Sequence, residues 1–169
     1  ALGNVKENMK RHLAMMREAK EKHVSIVTFP ELSLTGYTCG DLFFQRRLLD
    51  DVTDALLALK DEMPEGILAV VGAPLEIEGA LYNCAVVLHK GEIISAVPKT
   101  FLPNNGEFYE KRWFQSGDAR RDASVAIPKP KTDVCRQAIF ETEDSVRFGI
   151  ELCEDLWAPL PPSTMLSVE

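Results

Sequence analysis

Residues 146–157 read Val-Arg-Phe-Gly-Ile-Glu-Leu-Cys-Glu-Asp-Leu-Trp and combine a strand with a reactive side chain. The first seven residues are largely apolar and β-prone, and Pro159, Pro161 and Pro162 end any regular element soon afterwards. Cys153 therefore stands at the end of a predicted buried strand, where one side of the thiol is held rigidly and the other can meet a substrate. A cysteine after a strand is also a common small core residue, so this segment alone leaves both interpretations open.

The composition of the chain is that of a single globular domain. It has 169 residues, of which 46% are hydrophobic and 27% charged, and these values argue against disordered and fibrous classes. The net charge of −7 disfavours nucleic acid and anionic membranes as partners, since both select basic surfaces. Apolar runs stay well short of the roughly 20 residues that cross a bilayer, so no membrane span is predicted.

The cysteines argue against a structural metal site and against disulfides. Cys39, Cys84, Cys135 and Cys153 lie far apart, with no C-x-x-C pair and no histidine at ligand spacing, so zinc is not predicted. Four cysteines in a chain where no signal peptide is recognised fit a reducing compartment better than a disulfide framework. We therefore predict a soluble, cytoplasmic protein.

Helical and strand patterns alternate along the chain, which predicts an α/β fold. Asn4 is a plausible N-cap for an amphipathic helix over residues 5–19, and the β-prone run 24–29 follows directly. A second helix is predicted from about residue 42, capped by Asp41. The strand that should precede the first helix is missing, so the chain is expected to begin inside its domain. Further strands are predicted over residues 67–75, 83–89, 92–97, 134–140 and 146–152.

Residues 100–122 form a long irregular stretch that is rich in aromatic side chains. Loops of this length inside compact domains are usually functional or disordered. The aromatic residues argue against disorder. We therefore predict a packed loop near a pocket.

Three reactive side chains each follow a predicted strand: Glu31, Lys99 and Cys153. One rim of a sheet could therefore carry all three. A thiol has an ordinary pKa of about 8.5 and attacks as thiolate, so it needs a neighbouring base. A carboxylate in a dehydrated pocket can serve as that base. A fixed ammonium group would stabilise the negative charge that develops when a carboxamide or nitrile carbon is attacked.

Simpler interpretations compete with this one. Glu31 is also compatible with an ordinary surface acid. A histidine base, as in papain-like proteases, is the alternative to a carboxylate. His12, His23 and His89 each stand alone in the sequence, so that arrangement ranks lower.

Three motifs in this order resemble the nitrilase (carbon–nitrogen hydrolase) superfamily. They are Phe-Pro-Glu-Leu-Ser-Leu-Thr-Gly-Tyr at 29–37, Lys-Thr-Phe-Leu-Pro at 99–103 running into Glu-Phe-Tyr-Glu at 107–110, and Glu-Leu-Cys-Glu-Asp-Leu-Trp at 151–157. Within the superfamily, the chain is most similar to the glutaminase domains of glutamine-dependent NAD synthetases. Thr-Cys-Gly-Asp-Leu-Phe at 38–43 and residues 153–157 carry that likeness.

The resemblance implies a four-layer α-β-β-α sandwich and a catalytic set of three residues. Glu31 would be the base, Lys99 the stabiliser of the oxyanion, and Cys153 the nucleophile that becomes acylated. The implied reaction is hydrolysis of L-glutamine through a thioester, with the ammonia passed to a synthetase domain that amidates an adenylylated nicotinate dinucleotide. No cofactor is implied for this domain, since ATP and magnesium belong to the synthetase domain.

The resemblance also implies substrate contacts. Tyr37 would lie near the ligand, Glu107 would help to position it, and Glu154 would meet the α-ammonium group of glutamine. Trp157 would supply an aromatic contact. Asn105 departs from the pattern, because many relatives of this branch carry a tyrosine there, and this puts part of the glutamine pocket in question.

The family domain is considerably longer than this chain. We therefore interpret residues 1–169 as a partial glutaminase domain that lacks its first strand and its C-terminal part. No Ser-Gly-Gly-x-Asp-Ser-like ATP-binding loop is present, so the synthetase domain is absent from this sequence. About six strands are predicted, which is half of a two-sheet sandwich, and its inner apolar face would be bare. We expect the segment by itself to be aggregation-prone or oligomeric and to have little glutaminase activity.

The sequence is compatible with three functions. The first is the glutamine amidohydrolase module, in a homo-oligomer. The second is a stand-alone amidase or nitrilase that acts on another small amide. The third is a non-catalytic scaffold fragment whose sheet mediates assembly only.

Overall fold

The computed structural model of the chain describes residues 1–119, 123–126, 131–134 and 138–168. The centre of the described fold is a six-stranded mixed sheet, built from β1 (Ile26–Thr28), β2 (Leu68–Ile77), β3 (Ala80–His89), β4 (Glu92–Pro98), β5 (Ala123–Ala126) and β6 (Lys131–Val134). The strand order is β1-β2-β3-β4-β6-β5. The pairs β1–β2 and β4–β6 are parallel, and the other three pairs are antiparallel.

Two long helices, α1 (Val5–Glu21) and α2 (Arg46–Glu62), cover one face of this sheet. As predicted, the side chain of Asn4 caps α1 by accepting a hydrogen bond from the backbone N–H of Glu7. The apolar stripes of both helices bury residues such as Met16 and Leu56 in one core with the sheet. Among the described residues, no helix has the length and apolar content that crossing a membrane requires.

The opposite face of the large sheet packs against a two-stranded antiparallel sheet formed by β7 (Ile139–Glu141) and β8 (Arg147–Gly149). Val70, Val87 and Val97 of the large sheet are buried there in a second cluster with Leu152, which follows β8. The expectation of a bare inner face is therefore wrong for these residues, because the small sheet and the segment after it cover them.

A short helix, α4 (Pro162–Leu166), forms the fourth layer. Ile150 packs toward the large sheet, and side chains alternate between the two faces of an extended chain, so the preceding Gly149 faces the other way. A Cβ at Gly149 would lie 2.6 Å from the side chain of Leu166 in α4. The predicted α-β-β-α order is therefore confirmed.

The connection between β1 and α2 differs from the prediction at Asp41. A 3₁₀ turn over Gly40–Phe44 comes first, and α2 begins only at Arg46. Asp41 does not cap α2. Its carboxylate instead accepts hydrogen bonds from Arg112 and from the indole N–H of Trp113, in the short helix α3 (Glu110–Trp113).

The described residues contain eight strands rather than about six. The pair β5–β6 was not predicted, because each of these strands has only four residues and no clear apolar alternation. The predicted strand over residues 134–140 is divided, since β6 ends at Val134 and β7 begins at Ile139. Residues 135–137 of that prediction, including Cys135, lie outside the described part of the chain.

Candidate active site

The strand ends of the sheet bring the three predicted catalytic residues to one site. The ammonium nitrogen of Lys99 donates a hydrogen bond to Oε1 of Glu31 at 2.7 Å. Glu31 and Cys153 line the same cavity, of about 130 Å³, which lies between the large sheet and the segment that follows β8. An acid, an amine and a thiol from distant parts of the sequence therefore meet.

Glu31 reaches the site because its loop crosses strand β2 at Gly72. A Cβ at Gly72 would lie 2.4 Å from both the carbonyl oxygen of Pro30 and the backbone nitrogen of Leu32. Only glycine permits so close an approach of two backbones. The loop is held in this place by the backbone N–H of Leu34, which donates to the carbonyl of Gly72 at 3.1 Å.

Buried polar side chains support the same loop from helix α1. The ring of His12 lies 2.9 Å from Oγ of Ser33 through Nε2 and 2.7 Å from the carbonyl of Asn8 through Nδ1. Oγ of Ser33 in turn accepts the backbone N–H of Gly72 at 3.2 Å. Burial lowers the pKa of His12, so the ring is neutral near pH 7. His12 is thus a structural support for the loop that carries Glu31.

Lys99 is fully buried at the end of β4. Its backbone N–H continues the β3–β4 pairing by donating to the carbonyl of Asn83 at 2.8 Å. Its ammonium group donates to Glu31 and to Oε1 of Glu110, each at 2.7 Å. Burial lowers the pKa of Lys99, but the contacts with the two carboxylates outweigh burial and the net shift is upward. Lys99 is therefore a fixed cation at neutral pH.

The second carboxylate at the lysine is Glu110 and not Glu107, to which the resemblance assigned the second glutamate. Glu107 is exposed in the turn before α3. Glu110 begins α3 and is buried, and its Oε1 accepts hydrogen bonds from both Lys99 and the hydroxyl of Tyr37, the latter at 2.6 Å. Burial raises the pKa of Glu110. Spacing along the chain did not show which of the two glutamates contacts the lysine. The contact is made by Glu110 because α3 places its first residue facing the interior.

Cys153 occupies a strained turn at the start of a 3₁₀ segment, Cys153–Trp157. Its φ of +46° lies in the left-handed region, which costs a non-glycine residue about 1–3 kcal/mol and is concentrated at functional sites. The residue is exposed on one side. Desolvation of the sulfur raises the pKa of Cys153, the charge of Lys99 lowers it, and Glu31 raises it through its charge and a hydrogen bond. The net shift is upward, so the group is a thiol at neutral pH and needs a base.

Asp155 ties the turn of the nucleophile to the loop of the lysine. Its buried carboxylate accepts the backbone N–H of Leu152 on Oδ2 at 3.1 Å. Its other oxygen accepts the N–H groups of Thr100 and Phe101 at 3.0 and 2.7 Å. These residues stand directly before Cys153 and directly after Lys99. One side chain therefore fixes the spacing between the two catalytic segments.

We expect Asp155→Ala to lower the free energy of unfolding by about 2–4 kcal/mol, since it leaves two buried N–H donors and one part-buried N–H donor without their acceptor. Urea denaturation of the purified protein measures this directly. Glu154→Ala is the matched control, because the neighbouring carboxylate is half-buried and its loss is expected to cost less than about 0.5 kcal/mol. Equal, small effects of the two substitutions would show that Asp155 does not hold the segments together.

The predicted substrate contacts are distributed unevenly around the site. Tyr37 is adjacent to the catalytic residues through Glu110, and its ring meets that of Phe108 edge-to-face at a centroid distance of 6.5 Å. Burial, followed by the hydrogen bond to Glu110, raises the pKa of Tyr37 well above its ordinary value. Tyr37 is therefore a hydrogen-bond donor at all physiological pH values.

Glu154, Trp157 and Asn105 lie farther out. Glu154 lines a separate cavity of about 310 Å³ together with Phe101 and Lys111. Trp157 is 75% exposed, and Asn105 is exposed in the turn before α3. Their roles toward a substrate stay predictions.

Sequence reasoning assigned no role to three buried residues at this site: Glu110, Asn83 and Asp155. Asn83 donates through Nδ2 to Oε1 of Glu31 at 2.6 Å. The sequence showed Asn83 as a polar residue at the start of the strand predicted over residues 83–89, and Asp155 as an acid inside the cysteine motif without an assigned role. Among the described side chains, no group of three or more His, Cys, Asp or Glu residues is arranged to hold a metal ion.

Comparisons with known proteins give consistent results. The model of the family described as carbon-nitrogen hydrolase matches residues 2–166. The glutamine-dependent NAD(+) synthetase of Mycobacterium tuberculosis (strain CDC 1551 / Oshkosh) is 38% identical over 165 residues, which cover 96% of this chain and 24% of that protein. The protein of the same name from Arabidopsis thaliana is 35% identical over 95% of this chain and 23% of its own length.

Solved structures agree with these sequence matches. The crystal structure of a glutamine-dependent NAD(+) synthetase from Cytophaga hutchinsonii superposes with a TM-score of 0.84 at 28% identity. The superposition covers 91% of this chain and 26% of that one. The chain thus spans about a quarter of the length of the curated relatives that it matches.

Proposed function

The chain belongs to the carbon–nitrogen hydrolase family, and on that basis we propose that it is a glutaminase module, which hydrolyses L-glutamine and supplies ammonia for NAD synthesis. The observation that carries the chemistry is the fully buried ammonium of Lys99, held between Glu31 and Glu110 beside the exposed thiol of Cys153. The likeness to proteins named glutamine-dependent NAD(+) synthetase supports glutamine as the substrate.

In the first half-reaction, Sγ of Cys153 attacks the side-chain carboxamide carbon of glutamine while Glu31 takes the thiol proton. The raised pKa of Cys153 makes this proton transfer necessary at neutral pH. Negative charge then develops on the former carbonyl oxygen, and the ammonium of Lys99 stabilises it. Because Lys99 is already fixed by two carboxylates, little reorganisation is needed when the charge appears.

The tetrahedral intermediate then expels ammonia, which receives the proton from Glu31 and leaves a γ-glutamyl thioester on Cys153. Water attacks the thioester carbon while Glu31 accepts one of its protons. Collapse of the second intermediate releases glutamate, and Glu31 gives the proton that it took from water to the departing sulfur, which restores the thiol. The carbon–nitrogen bond is broken and a carbon–oxygen bond replaces it, with no change of oxidation state.

In this proposal the ammonia serves a synthetase domain that amidates an adenylylated nicotinate dinucleotide. ATP and magnesium act there, and no cofactor is assigned to the glutaminase module. We also propose that the protein forms a homo-oligomer and that it is located in the cytoplasm. Both proposals are the expectations drawn from the sequence. What supports the synthetase partner is the name of the relatives, of which this chain matches about a quarter.

Ammonium release tests the proposal when L-glutamine is compared with a panel of other small primary amides. Because the segment by itself is expected to have little activity, the assay uses a longer protein in which this segment is joined to the rest of a glutaminase domain. We expect release with glutamine well above the panel, and none with Cys153→Ala. Release from other amides but not from glutamine would contradict the proposal in favour of a stand-alone amidase. No release from any amide, with an intact thiol, would favour the non-catalytic scaffold.

A further inference from the structure

We propose that Asn83 is a positioning residue that determines which oxygen of Glu31 receives the proton of Cys153. This inference rests on the proposed function, because it concerns the base of the same reaction. Asn83 lies on β3 and is fully buried. It touches no reacting atom itself and acts through Glu31.

The hydrogen bonds of Glu31 are concentrated on one oxygen. Oε1 accepts from Nδ2 of Asn83 at 2.6 Å and from Nζ of Lys99 at 2.7 Å. A carboxylate oxygen has two lone pairs in its plane, so Oε1 is saturated. Within the described part of the chain, no nitrogen or hydroxyl donor reaches the second oxygen, Oε2. The free oxygen is the stronger proton acceptor, since hydrogen bonds to an anionic oxygen stabilise its charge.

Asn83 also fixes Lys99 through its main chain. Its carbonyl oxygen accepts the backbone N–H of Lys99 at 2.8 Å. The side chain of Asn83 therefore fixes the orientation of the Glu31 carboxylate. Its backbone carbonyl fixes the position of the Lys99 main chain, and so of the ammonium group beside that carboxylate. Two partners of one reaction are placed by one residue.

The way in which Asn83 is buried argues against a simple space-filling role. Its Oδ1 is buried and accepts no hydrogen bond from the described residues. An unpaired buried acceptor costs stability that an apolar side chain of similar volume would avoid. The position is thus suboptimal for packing, and the donor group of the amide explains why an asparagine stands there.

The test is steady-state hydrolysis of L-glutamine by the longer protein that carries this segment in a whole glutaminase domain, with Asn83→Ala and Asn83→Asp. For Asn83→Ala we expect kcat to fall on the order of 10- to 100-fold, because the base can then turn away from the thiol. KM should change little, since Asn83 is fully buried and offers no surface to a substrate. Asn83→Asp keeps the volume but places an acceptor against Oε1 of Glu31, so we expect a larger loss at neutral pH. That loss should shrink as the pH falls, because a protonated carboxyl can donate as the amide does.

Val87→Ala is the matched control. Val87 lies on the same strand and is fully buried in the cluster on the inner face of the sheet. Its truncation lowers stability, as truncation of Asn83 does, but it leaves the hydrogen bonds of Glu31 in place. We expect unchanged kcat for Val87→Ala at temperatures where the variant is folded.

A second readout separates failure of this inference from failure of the proposed function. The pH dependence of Cys153 alkylation by iodoacetamide requires no amide substrate. We expect the alkylation profile to move to lower pH in Asn83→Ala, because a Glu31 carboxylate that turns away raises the pKa of Cys153 less. It should move to higher pH in Asn83→Asp, because an added negative charge disfavours the thiolate. If the wild type hydrolyses no glutamine, these profiles still test the placement of Asn83.

Two results would overturn the inference. One is a folded Asn83→Ala variant whose kcat lies within about twofold of the wild type. The other is an Asn83→Asp variant that loses no more activity than Asn83→Ala and whose loss does not depend on pH. Either result would mean that the orientation of the Glu31 carboxylate does not depend on Asn83.

Discussion

Replacement of Lys99 by methionine is expected to lower kcat/KM for glutamine by about 100- to 1,000-fold, the usual effect of removing one group that stabilises an oxyanion. The same change should lower the free energy of unfolding by about 3–5 kcal/mol, because it leaves buried charge without a partner. The carboxylates concerned are those of Glu31 and Glu110, which are 16% and 1% exposed. Glutamine turnover and urea denaturation measure the two effects.

The loss of stability in Lys99→Met should depend on pH because of the neighbouring carboxyl group of Glu110. Burial raises the pKa of Glu110, and Lys99 lowers it. Without the lysine this pKa rises further, so the carboxyl is protonated at a higher pH and its uncompensated charge disappears. The loss of stability should therefore be largest above neutral pH and become smaller as the pH falls. Lys10→Met, at an exposed position on α1, is the control and should show neither effect. A Lys99→Met variant with normal stability and turnover would show that the ion cluster has no role.

Replacement of Glu31 by glutamine is expected to lower kcat by about 100- to 10,000-fold, the range for loss of a general base. The same substitution should make the thiol more acidic, since the charge of Glu31 and its hydrogen bond raise the pKa of Cys153. A less active enzyme should thus carry a more easily ionised nucleophile. Iodoacetamide alkylation as a function of pH measures the ionisation independently of turnover.

Lys99→Met provides the opposite case in the same assay. The charge of Lys99 lowers the pKa of Cys153, so its removal should move the alkylation profile to higher pH. Both variants lose turnover, but their thiol pKa values should move in opposite directions. Shifts in the same direction, or no shift in either variant, would contradict the arrangement of charges around Cys153.

The fold was largely predictable from local patterns. Periodicity was enough to predict the type of two elements. These are the helix with an apolar stripe over residues 5–19 and the strand with a continuous apolar run over residues 67–75. The predicted helix became α1 and the predicted run became β2. The strands β5 and β6 were not predicted. Strands of four residues depend on pairing with neighbouring strands, and this pairing leaves no pattern in the local sequence. The start of α2 was also misplaced, since Asp41 finds its partners in α3.

At the candidate site, the residues that follow strands were predictable and those that support them were not. Glu31, Lys99 and Cys153 each follow a strand or its extension, and such positions can be read along the chain. Glu110 could not be separated from Glu107, because both belong to one run of four residues and only the orientation of α3 distinguishes them. The same holds for Asp155, whose three backbone partners lie on two segments about 50 residues apart.

The most direct test of Cys153 as the nucleophile is the intact mass of a longer protein that contains this segment within a whole glutaminase domain, measured after incubation with a glutamine-mimicking diazoketone. The proposed arrangement predicts one covalent adduct per chain, prevented by excess L-glutamine and absent from Cys153→Ala. An adduct that persists in Cys153→Ala, or a folded wild-type protein that forms none, would contradict it.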